Sequence, residues 1–256
     1  MSKIDTIFSA LRESGEKALM PFIVAGDPSL EATESVIIAM DNAHVDIIEI
    51  GIPFSDPIAD GPVIAAAMYR ALESGITPSQ VLELVERIRP AVDAGIVAMV
   101  SHSIVRRSGG IDWLDQLKNA RFDGVIVPDI DDVEAELFSQ HCREIDISFS
   151  MLVAPTSSIE RIKTLASLSS GFLYVLARLG LTGEQSEIPD IGSRIEEIRS
   201  ITDLPLAVGF GISSKAHVQA VHKHADAAIV GSALVRRMAE ESDPISTVEK
   251  FVHEIS

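Results

Sequence analysis

The sequence contains a single cysteine, Cys142, among its 256 residues. One cysteine excludes an internal disulfide and is typical of proteins kept in a reducing compartment. No hydrophobic run approaches the roughly 18 residues that a membrane-spanning helix needs. The first residues, MSKIDTIF, also lack the apolar core of a signal peptide. We therefore expect a cytoplasmic protein that does not act in a membrane.

Basic residues are scarce as well. The chain has 21 Lys and Arg against 38 Asp and Glu, which gives a net charge of −17. This charge argues against nucleic acid or an anionic membrane surface as a partner. The lysines fall in segments of helical or surface character, so a Schiff-base lysine at a strand end is not expected. Metal chemistry needs clustered ligands, which the sequence does not suggest. We expect neither a metal ion nor a cofactor.

The sequence does contain short apolar segments that alternate with helical patterns. We predict eight strands, at 18–24, 47–52, 95–100, 124–127, 148–153, 171–176, 206–208 and 227–230. Alternation of this kind indicates a parallel sheet with right-handed crossovers. Eight units in this length favour an α/β fold of the (β/α)8 TIM-barrel type, formed by residues 1–256 as one domain. A doubly wound sheet would need fewer units or a second domain, and no linker divides the chain.

An additional helix is predicted before the first strand. Apolar residues recur there at helical spacing, at Ile4, Ile7, Phe8 and Leu11. The expected architecture is therefore a barrel with an extra N-terminal helix.

One acidic residue, Glu49, lies inside the β-branched segment 47–52, and a second, Asp60, ends the Pro- and Asp-rich loop that follows. A carboxylate in an apolar strand is costly unless it is paired, hydrogen-bonded or protonated. The strand alone leaves two interpretations open, a structural glutamate and a catalytic acid. In a barrel, active sites lie at the C-terminal ends of the strands, where both acids are expected.

Glycines follow the last three predicted strands, at Gly183, Gly211 and Gly231, and Ser232 comes next before a helix. Glycine lets the backbone approach an anion closely, and the N-terminus of a helix attracts negative charge. The loops after strands seven and eight form the usual phosphate site of such barrels. Each loop by itself could be a simple turn, but their common register favours a phosphate site.

Three aromatic residues could form the walls of a pocket at the same end of the barrel, namely Phe22, Tyr174 and Phe210. Plain packing of the barrel explains each of them equally well. His102 follows the third strand, where a polar position on the rim is a better interpretation than a functional one. What remains is acid–base chemistry on a phosphorylated substrate.

Several motifs, in order along the chain, resemble those of one known family. They are PFIVAGDP (21–28), EIGIPFSDPIADGP (49–62), VIVPD (125–129), VAPTS (153–157), YVLARLGLTG (174–183), VGFGISS (208–214) and VGSA (230–233). All resemble the tryptophan synthase α chain. The resemblance implies a (β/α)8 barrel that cleaves indole-3-glycerol phosphate to indole and glyceraldehyde 3-phosphate in a retro-aldol reaction. It also implies a β chain as partner.

The resemblance implies a role for each candidate residue. Glu49 would be the general acid–base, and Asp60, on a wetter loop, would stay ionised and hold the indole N–H. Phe22 and Tyr174 would line the pocket. Residues 178–189 would form a mobile lid, with Thr182 placed to touch Asp60. The phosphate would be held by Gly183, Phe210, Gly211, Gly231 and Ser232.

The chain departs from the family pattern at Val24, Ala65, 101–104 and Asp131. In the family, positions 101–104 and 131 belong to the mouth that admits the substrate and to the rim that faces the β chain. That contact with the β chain is expected through the loops after strands two, three and four. Two alternatives therefore stay open. The protein could be a ligand-binding regulatory subunit with weak catalysis, or a barrel lyase or isomerase for another phosphosugar.

Overall fold

A computed structural model describes residues 1–57, 60–177, 191–209, 211–241 and 243–256. In these ranges nine parallel strands form one sheet. The strands are β1 (Ala18–Val24), β2 (Ile47–Gly51), β3 (Gly95–Met99), β4 (Gly124–Ile126), β5 (Ser148–Ser150), β6 (Leu152–Val153), β7 (Leu173–Leu176), β8 (Leu206–Gly209) and β9 (Ala227–Val230). Their alternation with helices confirms the predicted α/β fold.

The sheet closes on itself through one segment of chain. Its strand order is β5-β4-β3-β2-β1-β9-β8-β7-β6, and only Met151 separates β5 from β6. The predicted fifth strand, 148–153, is therefore two short strands that pair with opposite neighbours. The break occurs because the Met151 N–H donates to the Ser169 hydroxyl (3.1 Å) instead of to a strand. Eight predicted strands thus become nine, and the barrel is confirmed.

The described helices surround the sheet, and most begin at a Ser, Thr or Asp whose side chain caps the first turn. They are α1 (Lys3–Ser14), α2 (Leu30–Asn42), α3 (Pro62–Glu73), α4 (Pro78–Ile88), α5 (His102–Arg107), α6 (Asp112–Asn119), α7 (Asp132–Glu144), α8 (Ile159–Leu168), α9 (Gly192–Arg199), α10 (Lys215–His222), α11 (Ser232–Glu240) and α12 (Pro244–Ile255), with a 3₁₀ turn at Arg89–Ala91. The sequence did not predict α5 or the 3₁₀ turn. Within the described ranges, no helix has the length and hydrophobicity needed to cross a bilayer.

The predicted N-terminal helix, α1, closes one end of the barrel. Ile4 and Phe8 are buried in one cluster with inward-facing strand residues such as Ile47 and Val97. A β-carbon at Gly95 would lie only 2.7 Å from the Ile4 Cδ1 atom, so the helix packs directly against β3. We call this end, at the N-terminal ends of the strands, the floor. The opposite end, where the strands finish, is the mouth.

Candidate active site

Glu49 is the central residue of β2 and faces the inside of the barrel. Side chains alternate along a strand, so Ile48 and Ile50 point outward into the layer beneath the helices while Glu49 points inward. Its side chain is fully buried, and neither carboxylate oxygen has a hydrogen-bond partner among the described residues. Burial raises the pKa of Glu49 to about 8. The carboxyl group is therefore mostly protonated at pH 7.

Asp60 lies at the mouth, just before α3. Its backbone N–H donates to the Pro57 carbonyl (3.0 Å), which forms a turn ahead of the helix. Burial raises the pKa of Asp60 to about 6. Asp60 is thus more buried than the sequence suggested. Its pKa is still lower than that of Glu49, so Asp60 loses its proton at lower pH. At pH 7 the two acids differ in charge, with Glu49 neutral and Asp60 ionised.

Tyr174, in β7, faces both acids. Burial is the main reason that its pKa lies well above the usual value, and the charges of Glu49 and Asp60 raise the pKa further. A β-carbon at Gly209 would lie 2.4 Å from the Tyr174 hydroxyl oxygen, so the ring fits only because residue 209 in β8 is glycine. Gly209 was not among the predicted site residues, although it opens the GFG motif.

Phe22 connects Glu49 with the opposite side of the site. In the register of β1 and β2, Phe22 is the partner of Glu49. A β-carbon at Gly51 would lie 2.6 Å from the Phe22 Cζ atom, so the ring covers the end of β2. On its other side, a β-carbon at Gly231 would meet the Phe22 Cβ atom at 3.6 Å. Phe22 therefore lies between the buried acid and the start of α11.

The predicted phosphate loops are partly described. Gly231 is the residue before α11 and no side chain caps that helix, whereas the Ser214 side chain caps α10. Ser232, the first residue of α11, is buried. Gly211 follows β8 with a φ of 81°, a conformation that favours glycine. Gly183, Thr182, Phe210 and the predicted lid at 178–189 lie outside the described residues.

The described candidates lie on consecutive strands of the barrel. Glu49, Phe22, Gly231, Gly211 and Tyr174 belong to or follow β2, β1, β9, β8 and β7, in that order, and these five strands are consecutive neighbours in the sheet. An arrangement with a neutral buried acid, an ionised acid and an uncapped helix N-terminus can transfer a proton to a substrate that carries an anionic group.

Comparison with known proteins identifies the family. The sequence profile described as "Tryptophan synthase alpha chain" matches residues 8–255. The chain belongs to the tryptophan synthase alpha chain family. A curated member from Acaryochloris marina, the tryptophan synthase alpha chain of that organism, is 40% identical over 255 residues, covering 98% of this chain and 96% of the relative.

Solved structures of tryptophan synthases share the barrel. A chain of the Mycobacterium tuberculosis tryptophan synthase superposes with a TM-score of 0.91 at 31% identity, covering 99% of this chain and 96% of that one. The tryptophan synthase A-subunit of Pyrococcus furiosus gives a TM-score of 0.87 at 34% identity, covering 93% and 97%. This likeness agrees with the expected tryptophan synthase alpha chain fold along the whole sequence.

His102 of this tryptophan synthase alpha chain homologue lies at the mouth, as predicted for a polar rim position, but it is less exposed than a rim residue usually is. It is 8% exposed, because it begins α5 and packs edge-on against Phe138. Its Nε2 atom lies 2.8 Å from a carboxylate oxygen of Glu134. Asp129 accepts hydrogen bonds from the Ser101 hydroxyl (2.8 Å) and from the His102 N–H (2.7 Å). The loops after β3 and β4 are thereby joined at the mouth.

An ion pair that was not predicted joins Asp27, just after β1, to Arg70 in α3. The two residues are far apart in the sequence, so no local sequence pattern indicates that they form a pair. Within the described part of the chain, no group of three or more His, Cys, Asp or Glu side chains is placed to hold a metal ion.

Proposed function

We infer that the protein is a lyase of the tryptophan synthase α-subunit type, which cleaves indole-3-glycerol phosphate to indole and glyceraldehyde 3-phosphate and has a β chain as its partner. Membership of the family supports the reaction class and the partner. The observation that carries the chemistry is Glu49, a fully buried carboxyl group at the inside of the barrel with a pKa of about 8.

We assign the proton transfer to Glu49. As the neutral acid, it donates its proton to the indole carbon at the bond that breaks. The carbon–carbon bond cleaves as the glycerol hydroxyl next to that bond loses its proton and becomes the aldehyde. The Glu49 carboxylate accepts this proton and so returns to its starting state. A general acid works best when its pKa lies near the operating pH, and burial of Glu49 supplies that pKa.

We assign substrate orientation to Asp60 and to the loops after β8 and β9. The ionised Asp60 accepts the indole N–H and stabilises the positive charge that develops on the ring. Gly211, Gly231 and Ser232 bind the phosphate with backbone N–H groups, as the uncapped start of α11 allows. Gly183 and Phe210 complete that phosphate site, and Thr182 meets Asp60, by resemblance alone. Phe22 and Tyr174 form the walls of the pocket between the two ends of the substrate.

We place the contact with the β chain on the loops after β2, β3 and β4. Asp129 unites the second and third of these loops into one surface. Just beyond it, Val133 and Leu137 on α7 expose their apolar side chains, at 74% and 55%. Exposed apolar side chains beside such a surface are typical of a protein–protein contact. Action in the cytoplasm is likewise our proposal, supported by the single cysteine, which is typical of proteins in a reducing compartment.

The deciding experiment measures indole release from indole-3-glycerol phosphate by the purified chain, alone and titrated with a β chain. Glu49→Gln should lower kcat by about 10²-fold or more, because removal of a general acid costs that much. Glu86→Gln, on the exposed face of α4, is the matched control and should keep full activity. Full activity of Glu49→Gln would disprove the acid–base assignment.

The same titration separates the alternatives. A ligand-binding regulatory subunit would bind the β chain but release indole only weakly by itself. A lyase or isomerase for another phosphosugar would neither release indole nor bind indole propanol phosphate, an uncleavable analogue of the substrate.

A further inference from the structure

The pair Asp27–Arg70 lies at the mouth and has a fixed geometry, although the Arg70 side chain is 43% exposed. The Arg70 Nε and Nη2 atoms each donate to a different carboxylate oxygen of Asp27, both at 2.7 Å. Asp27 is only 4% exposed. Two parallel hydrogen bonds between a guanidinium and a carboxylate fix the orientation of the partners as well as their distance.

Asp27 stands on a rigid support. The N–H of the preceding residue, Gly26, donates to the Thr33 hydroxyl in α2 (2.9 Å). Gly26 has a φ of 83°, and a β-carbon there would lie 2.5 Å from the Ile76 side chain. The loop after β1 is therefore held by α2 and packs tightly against the segment that follows α3. Asp27 is the fixed end of the ion pair, and Arg70 attaches α3 to it.

The helix that Arg70 attaches is the one that follows Asp60. Ile64 and Met68 of α3 pack in one buried cluster with Phe22 and Val24 of β1 and with Val235 of α11. The Met68 methyl group and the Phe22 ring both lie against Gly51 at the end of β2. Such apolar contacts hold α3 against the mouth but do not fix its orientation, because they are not directional. The ion pair fixes the orientation of α3.

We propose that Asp27 and Arg70 are positioning residues, which fix α3 and thereby hold Asp60 where it meets the indole N–H. This inference rests on the proposed function, because it concerns the role given there to Asp60. Neither residue touches the substrate. The pair acts through the helix, whose first residue, Pro62, lies two positions after Asp60.

The test compares Arg70→Met and Arg70→Lys with a matched control, Arg87→Met. Arg87 in α4 makes an ion pair of the same length, 2.7 Å, with Glu34 in α2, and this pair does not involve α3. Arg70→Lys keeps the charge and loses the two-pronged geometry, so it tests the proposal if Arg70→Met does not fold. Two ligands report on Asp60, namely indole propanol phosphate and its N1-methyl derivative, which lacks the N–H.

The wild-type chain should bind the N–H ligand more tightly than the methylated one. Arg70→Met should lose most of this preference and about 10- to 100-fold in kcat/KM, since a displacement of about 1 Å can cost that much. Arg70→Lys should show a smaller loss of the same kind. Binding of glyceraldehyde 3-phosphate, which reports on the phosphate site, should stay within about twofold. Arg87→Met should behave as wild type throughout.

Two results would overturn the proposal. One is an unchanged preference for the N–H ligand in both Arg70 variants. The other is an equal loss of affinity for all three ligands, which would indicate general damage rather than a displaced Asp60. A wild-type chain that releases no indole would instead refute the proposed function, so the two failures are distinguishable.

Discussion

Replacing Glu49 by glutamine should make the protein more stable, and increasingly so as the pH rises. The buried carboxyl group has no hydrogen-bond partner among the described residues, so the folded state resists its ionisation. The unfolded chain ionises the same group freely near its ordinary pKa of 4.5. Glutamine has nearly the same shape as protonated glutamate and cannot ionise. The variant therefore removes this penalty without opening a cavity.

The direction follows from proton linkage. Between pH 4.5 and about 8 the folded state keeps a proton that the unfolded state has lost, so the free energy of unfolding falls as the pH rises. Each pKa unit is worth about 1.4 kcal/mol. The difference of about 3.5 between the two pKa values thus corresponds to at most about 5 kcal/mol above pH 8. Near pH 4.5 and below, Glu49→Gln and wild type should differ little.

Urea unfolding at a series of pH values from 5 to 9 measures this difference. Wild type should lose stability across the series relative to Glu49→Gln, and the gap should level off above about pH 8. Glu86→Gln provides the control, since its exposed carboxyl group should leave the curve unchanged. A gap between Glu49→Gln and wild type that does not vary with pH would refute the assignment of a buried, protonated Glu49.

Two further predictions concern turnover and the partner. The pH profile of kcat/KM should be bell-shaped, rising through about pH 6 as Asp60 ionises and falling through about pH 8 as Glu49 loses its proton. A profile that stays flat from pH 5 to 9 would contradict these two states. Val133→Asp should raise the β-chain concentration for half-maximal activation about tenfold, equivalent to about 1.4 kcal/mol. Ile245→Asp, at an exposed apolar position on α12, should leave this concentration unchanged. If both variants raise the concentration equally, the contact with the β chain does not lie at Val133.

Short apolar segments with clear limits made several strands predictable from the sequence. The bounds of β1 and β9 were predicted to the residue, because each apolar segment follows a charged residue and ends before a glycine-containing loop. The short helix α5 was not predicted, because its six residues contain little pattern and its start is tied to Asp129 from the next loop. The break at Met151 was also invisible, since a hydroxyl 18 residues away in sequence causes it.

The residues of the candidate site also include some that the sequence indicates and some that only the structure reveals. Glu49 could be singled out because an acid inside a β-branched strand has few stable states. The burial of Asp60 could not, because it depends on which distant parts of the chain surround this residue in the closed barrel. The Asp27–Arg70 pair joins residues 43 positions apart, and the fit of Tyr174 against Gly209 joins two strands. Such relations appear only once the barrel is closed.

The helix at the floor has a consequence for traffic through the barrel. Ile4 and Phe8 of α1 pack beneath the strands, so in the described part of the chain the helix covers the floor and leaves the mouth as the route for a ligand. A substrate that enters and a product that leaves therefore use the same opening. A protein that docks over the mouth would control substrate entry and product release together.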